Sequence, residues 1–329
     1  MLSRRSFYKI LAAILALPMV LASTAEAQTD SRGSPRGTLY VTSWFGGAVS
    51  MVDLASAKVV KTIKVGVHTH NIALAPDRKF AWATNNNDGT VAVIEVSSGR
   101  VIKHIHTGMG PRHTNFAPDG REAYVTNEFD DSVVVVDTSS LALVAHVKVG
   151  IMPHFPIVVG DRVFVTNFGS GDVTVVDRAS RRTVATVPVG TGPLGAGAAR
   201  DGKRIYVACH NANYVAVIDS ESLNVLARIA TDPGPVQVTV APDQKHAYVA
   251  NDGAGNVQKI DLASHQIVKT IGIAPEAGTH GVSFSPEQRL LFVTNTGSGT
   301  VTVIDTETDH ILSHIKVATT PEGIAYMPD

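Results

Sequence analysis

The chain has 329 residues, of which 17% are charged and 44% hydrophobic, and its formal net charge is −1. This is the composition of a globular protein large enough to bury a core, and its near-neutral balance lacks the basic surface that nucleic-acid binding requires. The single cysteine, Cys209, excludes an intrachain disulfide, so stability has to come from packing.

The first 27 residues have the order of an export signal. Basic residues precede an apolar run over residues 10–22, and small residues follow it at 25–27. The segment SRRSFYK at residues 3–9 resembles the twin-arginine motif, whose substrates usually fold before crossing the membrane. The sequence therefore predicts a cleavable twin-arginine signal peptide at 1–27. It also predicts a periplasmic or secreted protein with no membrane insertion after cleavage.

Residues 28–37 are rich in Ser, Gly, Pro and Arg, and we expect a flexible lead-in there. From residue 38 onward the sequence repeats. Each repeat has an aromatic residue, as in Tyr124-Val-Thr-Asn, followed thirteen positions later by an acid. The acids are spaced 42, 42, 40, 42, 42 and 44 residues apart, which is typical of repeat architectures. They are Asp53, Glu95, Asp137, Asp177, Asp219, Asp261 and Asp305.

Each repeat contains four β-branched or apolar runs separated by turn-forming residues, which predicts four short antiparallel strands. Seven such repeats indicate an all-β protein, a seven-bladed β-propeller in one domain over residues 38–329. The chain enters at Thr38 with the second strand of a blade and ends, around Glu322, with a first strand. We therefore expect the C-terminal strand to complete the first blade and close the ring, which removes free sheet edges.

By these repeats the chain resembles, over nearly all its length after residue 38, the YVTN-repeat family of seven-bladed propellers. It is more distantly similar to the propeller domains of nitrous oxide reductase and of tetrapyrrole-binding nitrite reductases. The resemblance implies an extracytoplasmic binding or accessory role and leaves the activity open, since propellers host unrelated functions. The sequence has no CxxCH motif for covalent haem.

One column of the aligned repeats carries unusual chemistry. The residue six positions before each Pro-Asp turn is expected to face the central channel, and this column contains three histidines, an arginine and a carboxylate. Imidazole and carboxylate are suitable ligands for Cu, Zn or Fe. We predict His70, His154 and His280 as metal ligands, with Arg112, His113, Phe155 and Glu322 as further contacts to a cofactor. In chain order the column is His70, Arg112, His154, Leu194, Val236, His280 and Glu322.

Three occupants of this channel mouth stay open from the sequence. They are a transition metal or a metallo-cofactor such as a tetrapyrrole, an organic anion held by His and Arg, and water alone. With 13 histidines in the chain, only about 0.3 would fall in a seven-residue column by chance, although many columns exist.

Loop aromatics on one side of the channel suggest a partner rim, formed by Trp44, Phe45, Phe129 and Phe168. The leading hypothesis is a periplasmic binding or accessory protein that holds a metal or small ligand. The alternatives are a metal-dependent oxidoreductase or a lyase- or lactonase-like enzyme at the same site, and a scaffold that docks a protein partner. We expect the acid column to be structural and Cys209 to be a small buried hydrophobe.

Overall fold

The computed structural model describes residues 35–287 and 289–329. Over these residues the chain forms seven four-stranded antiparallel sheets, as the repeats predict. The predicted signal peptide at 1–27, and the lead-in as far as Ser34, lie outside the described residues. Within residues 35–287 and 289–329, no helix is long and apolar enough to cross a lipid bilayer.

Each blade has an inner, a second, a third and an outer strand, ordered from the channel outward. The inner strands are β4 (Thr69–Leu74), β8 (Pro111–Phe116), β12 (Pro153–Val159), β16 (Pro193–Ala198), β20 (Pro235–Val240), β24 (Thr279–Ser285) and β28 (Pro321–Met327). The second strands are β1 (Thr38–Ser43), β5 (Phe80–Asn85), β9 (Glu122–Asn127), β13 (Arg162–Asn167), β17 (Arg204–Cys209), β21 (His246–Asn251) and β25 (Leu290–Asn295).

The third strands are β2 (Ala48–Asp53), β6 (Thr90–Glu95), β10 (Ser132–Asp137), β14 (Asp172–Asp177), β18 (Tyr214–Asp219), β22 (Asn256–Asp261) and β26 (Thr300–Asp305). The outer strands are β3 (Lys58–Lys64), β7 (Arg100–His106), β11 (Ala142–Lys148), β15 (Arg182–Pro188), β19 (Val225–Ala230), β23 (Gln266–Gly272) and β27 (His310–Lys316). A short 3-10 turn spans His210–Ala212.

The C-terminal strand closes the ring. β28 is the inner strand of blade 1 and pairs antiparallel with β1, with Thr38 opposite Met327 and Tyr40 opposite Ala325. It also packs against β4 of blade 2 and β24 of blade 7. The predicted closure is confirmed, and it brings residues from both ends of the propeller domain to one channel.

The core lies between neighbouring blades. Second and third strands are buried on both faces, which explains why they are continuous apolar runs, whereas outer strands expose most of their residues. Trp82 of blade 2, for example, packs edge-on against Phe116 of blade 3 with ring centroids 5.3 Å apart. The channel walls are thus held by packing on the outer side of every inner strand.

The repeated acids have a structural role. Asp137 Oδ1 accepts hydrogen bonds from the amides of Ser139 and Ser140 at 3.1 and 2.8 Å. Asp261 makes the same contacts in blade 6. Hydrogen bonds from these serines lower the pKa of Asp137 to about 2. The acid column therefore fixes the turn that leads to each outer strand.

Candidate functional site

The inner strands leave their regular pairing at the same point, near their start. In β4 the register with β5 shifts between Thr69 and Ile72, and in β8 the register with β9 shifts between Pro111 and Thr114. β12 and β24 shift in the same way. A β-bulge frees consecutive residues from strict alternation. In these strands the bulge contains the residue of the predicted column and the residue that follows it in the chain.

Three histidines meet inside the channel at these bulges, and they are termed the trio: His70, His113 and His154. Their ring centroids are separated by 4.8 Å (His70 to His113), 4.6 Å (His113 to His154) and 5.4 Å (His70 to His154). The side chains are only 2%, 5% and 6% exposed. One ring nitrogen from each lies within 4.8 Å of the other two.

His280 and Glu322 adjoin the trio beside His70. The His280 ring lies 5.8 Å from the His70 ring, and Glu322 Oε2 lies 3.5 Å from His70 Nε2. The three predicted metal ligands therefore reach one region of the channel. The tightest group, however, contains His113, which the sequence placed among the cofactor contacts, and leaves His280 at its edge.

The trio is short of hydrogen-bond partners. His70 Nδ1 lies 3.1 Å from the carbonyl oxygen of Arg112, and a neutral ring that donates there keeps a lone pair on Nε2. Within the described residues, neither ring nitrogen of His113, nor His154 Nδ1, nor Glu322 Oε2 has a hydrogen-bond partner. Since buried polar atoms are nearly always bonded, these four atoms beside the channel indicate a site that ordered water or a bound group completes.

Burial keeps the site uncharged at neutral pH. Desolvation, reinforced by neighbouring positive charge, lowers the pKa of each trio histidine well below 6.5. It lowers the pKa of His280 to about 4 and raises that of Glu322 to about 8. At pH 7 the site therefore presents neutral imidazoles, the form that binds metals, and a protonated carboxyl.

Trp44 and Arg112 form a roof over the trio on the loop side. Trp44 stacks on His68 at 4.7 Å and meets His70 edge-on at 5.8 Å, while the guanidinium carbon of Arg112 lies 5.5 Å from the Trp44 ring. Arg112 donates to Glu128 from Nε at 2.6 Å and from Nη2 at 3.2 Å. Arg112, predicted as a cofactor contact, is thus paired with an acid and braces the roof.

The predicted rim divides into exposed and covered members. Phe45 and Phe129 are 72% and 59% exposed, whereas Phe168 is half-buried and Trp44 belongs to the roof. Other loops on the same side add exposed apolar side chains, at Val67, Met109 and Ile151.

A cavity of about 450 Å³ lies on the channel side of the trio. Phe155, half-buried, borders it with its ring 4.8 Å from that of His113. Among the described residues that line the cavity, none is Lys, Arg or Asp, and Glu322 is the one acid. Trp44 and Arg112 do not line it, so the trio separates cavity from roof. The walls include Asn71, Ile72, Asn115, Phe116, Gln237, Val240 and Ile324.

Sequence reasoning missed polar pairs that join equivalent loop positions of adjacent repeats. His210 Nε2 lies 3.2 Å from Asp252, 42 residues later, and this contact raises the pKa of His210. Asn86 Nδ2 lies 3.5 Å from Glu128 Oε2, also 42 residues later. The repeat period itself was the signal, because side chains one period apart face each other across a blade junction.

The family profile described as "Lactonase, 7-bladed beta-propeller" matches residues 39–156 and 150–324. The chain belongs to this family. No curated protein matches this lactonase-family propeller. The match to this family profile agrees with the seven blades seen in the structure and confirms the predicted fold.

Solved structures similar to this lactonase-family propeller are distant in sequence. Hydrazine synthase of Kuenenia stuttgartiensis is 18% identical with a TM-score of 0.72, over 79% of this chain and 95% of that one. A functionally unknown protein from Desulfotomaculum acetoxidans is 15% identical with a TM-score of 0.78, over 89% and 100%. The dihydro-heme d1 dehydrogenase NirN, in complex with DHE, is 14% identical with a TM-score of 0.68, over 89% and 76%. At these identities the likeness concerns the fold alone.

Proposed function

We propose that this protein is an exported binding protein in which His70, His113 and His154 hold a transition-metal ion inside the propeller channel. The observation that carries the proposal is the group of buried ring nitrogens without hydrogen-bond partners among the described residues. Imidazole is a good ligand for Zn, Cu, Fe and Ni. His280 is within reach as a fourth ligand, and Glu322, whose Oε2 lies 3.5 Å from His70 Nε2, can ligate the same ion once its carboxyl loses its proton.

The spacing of the trio supports a single ion. Ligand nitrogens at ~2.0–2.1 Å from zinc lie ~3.3 Å apart in a tetrahedral site, and those of the trio lie within 4.8 Å of each other. Small ring rotations therefore bring them to one ion. The ring plane of His70 stands at 81° to that of His113 and at 88° to that of His154, so the rings approach the shared space from different directions, as the ligands of one ion do.

The cavity supports a small ligand on the open side of the ion. Apart from the histidines and Glu322, its described walls are apolar or carry side-chain amides and hydroxyls. The ion would therefore be the main charge that a ligand meets in this cavity. The roof pair of Arg112 and Glu128 lies on the other side of the trio and does not line this cavity.

Metal analysis of the purified protein tests the proposal. After treatment with a chelator, titration with Zn²⁺ or Co²⁺ should give one ion per chain, and His113→Ala or His154→Ala should lose it. His310→Ala, which removes an exposed imidazole from β27, is the matched control and should bind as the wild type does. Failure of the wild type to bind any of Zn²⁺, Co²⁺ and Cu²⁺ would overturn the proposal.

Export to the periplasm by the twin-arginine route is part of the proposal and rests on residues 1–27. An Arg4→Lys, Arg5→Lys double variant should accumulate in the cytoplasmic fraction as the uncleaved chain. The wild type should appear in the periplasmic fraction at the size of the cleaved chain. Equal export of both chains would argue against this route.

A lactonase-like activity is the second candidate. It is favoured by the family description and by the cavity that adjoins the trio. A metal ion there would activate water toward a ring ester bound in the cavity. Hydrolysis of a simple lactone should then require added metal and disappear in His113→Ala. Turnover that persists without metal would argue against this candidate.

Docking of a protein partner through the rim is the third candidate, supported by the exposure of Phe45 and Phe129. A Phe45→Ser, Phe129→Ser variant should lose a co-purifying periplasmic protein while it retains bound metal. An unchanged set of co-purifying proteins would count against a docking role for the rim.

A further inference from the structure

Five second strands carry a buried threonine whose hydroxyl bridges the inner strands of two blades. Each Oγ1 accepts a hydrogen bond from an amide of its own blade's inner strand. Each also donates to a carbonyl of the next blade's inner strand, at 2.5 to 2.7 Å. The accepting carbonyl belongs every time to a residue of the histidine-bearing column. The threonines are Thr42, Thr84, Thr126, Thr166 and Thr294, all at most 1% exposed.

Thr126 joins the backbones of two trio histidines directly. Its Oγ1 accepts from the amide of His113 at 3.2 Å and donates to the carbonyl of His154 at 2.7 Å. Thr42 acts in the same way on His70, whose carbonyl it binds at 2.7 Å. These backbone amides and carbonyls lie in the bulges, where the regular hydrogen bonds between strands are interrupted. The threonine hydroxyl therefore supplies hydrogen bonds that the neighbouring strand does not.

The two repeats without this threonine provide an internal comparison. Alanine stands there in blades 5 and 6, at Ala208 and Ala250, and the column residues that they face are Val236 and His280. His280 is the column histidine that lies outside the trio, whereas the carbonyls of His70 and His154 are both held by a threonine. Among the three histidines of the column, the two whose carbonyls a threonine binds are therefore the two that belong to the trio.

We propose that Thr126 is a positioning residue for the metal site, which sets the spacing of His113 and His154 by tying their backbones together. This inference rests on the proposed metal-binding function. The hydroxyl does not touch the ion. It acts by limiting how far the two bulges can move apart, as hydrogen-bond partners behind metal ligands do. Thr42 does the same for His70.

The test compares three variants by Co²⁺ titration and by the visible absorption of the bound Co²⁺, which reports ligand geometry. Thr126→Val removes the hydroxyl with little change of shape and should weaken binding ~10–100-fold and change the spectrum. Thr126→Ser keeps the hydroxyl and should restore both. Thr166→Val is the matched control, because it frees the amide of Phe155 and the carbonyl of Leu194, neither of which is a trio residue, and it should change both much less than Thr126→Val does.

The outcomes separate this inference from the function on which it rests. A wild-type chain that binds no Co²⁺ overturns both. A wild type that binds Co²⁺, with Thr126→Val and Thr166→Val affecting affinity and spectrum equally, overturns only the positioning role. Urea unfolding of the metal-free variants should show equal losses of stability for the two valine substitutions. If Thr126→Val does not fold, Thr42→Val replaces it and is expected to give the same loss of affinity.

Discussion

Replacement of His113 by leucine tests whether the metal-free trio is destabilising by itself. The side chain is 5% exposed, and neither ring nitrogen has a hydrogen-bond partner among the described residues. A buried polar group without a partner costs ~1–3 kcal/mol in proteins. Leucine fills a similar volume without polar atoms, and Phe155 already offers it an apolar neighbour. His113→Leu should therefore stabilise the metal-free protein by ~1–3 kcal/mol.

The assay is urea unfolding followed by fluorescence, with chelator present throughout. For a chain of this size the gain corresponds to ~2–6 °C in Tm. His310→Leu, at an exposed position of β27, is the control and should change stability by less than ~0.5 kcal/mol. The same His113→Leu variant should lose metal binding. A loss of stability in chelator would refute the reasoning, because it would mean that the ring makes bonds that leucine cannot replace.

Three further predictions concern the pH dependence of stability, the packing of Gly323 against β4 and the reactivity of the Cys209 thiol. In the metal-free protein, burial places the pKa of the four channel histidines below 6.5, so stability falls as pH drops below 6.5. Glu322, with its pKa raised from 4.5 to about 8, opposes this effect, because the folded chain keeps a proton there that the unfolded chain loses, so the urea midpoint should peak at about pH 7 and fall toward pH 8; a midpoint still rising at pH 8 would contradict this. Gly323→Ala should lower the free energy of unfolding in urea by ~1–3 kcal/mol, because the added Cβ would lie 2.7 Å from a backbone atom of β4. Gly272→Ala is the control and should lower it less, because a Cβ added there meets no atom within 4 Å. Cys209 is fully buried and its pKa is raised to about 12, so iodoacetamide should label it only in denaturant; rapid labelling of the folded chain would refute this.

The propeller could be predicted from the sequence because every repeat carries the same pattern. An aromatic residue and an acid recur at a nearly constant period, and the phase at each end fixed which strand closes the first blade. Packing between blades is local to neighbouring repeats, so each repeat reports the same structure. The pairing of β28 with β1 followed from that phase.

The sequence indicated where the channel side chains converge, and it was less informative about how they group. The column identified the part of the channel where His70 and His154 meet, but strict alternation of side chains could not tell whether Arg112 or His113 joins them there. That choice is made by the bulge in β8, which depends on backbone hydrogen bonds between strands. The pairing of Arg112 with Glu128 is likewise a spatial contact that a column of single positions does not contain.

The junction of β28 with β1 has a thermodynamic consequence. Thr42 binds the carbonyl of His70 and the amide of Gly323, which are contributed by strands from the two ends of the propeller domain. If His70 holds the proposed ion, binding of that ion is coupled through Thr42 to closure of the ring, and coupling of this kind is reciprocal. The free energy by which ion binding favours the closed ring equals the free energy by which ring closure favours ion binding. Opening of the junction between β28 and β1 and release of the ion should therefore become more frequent together.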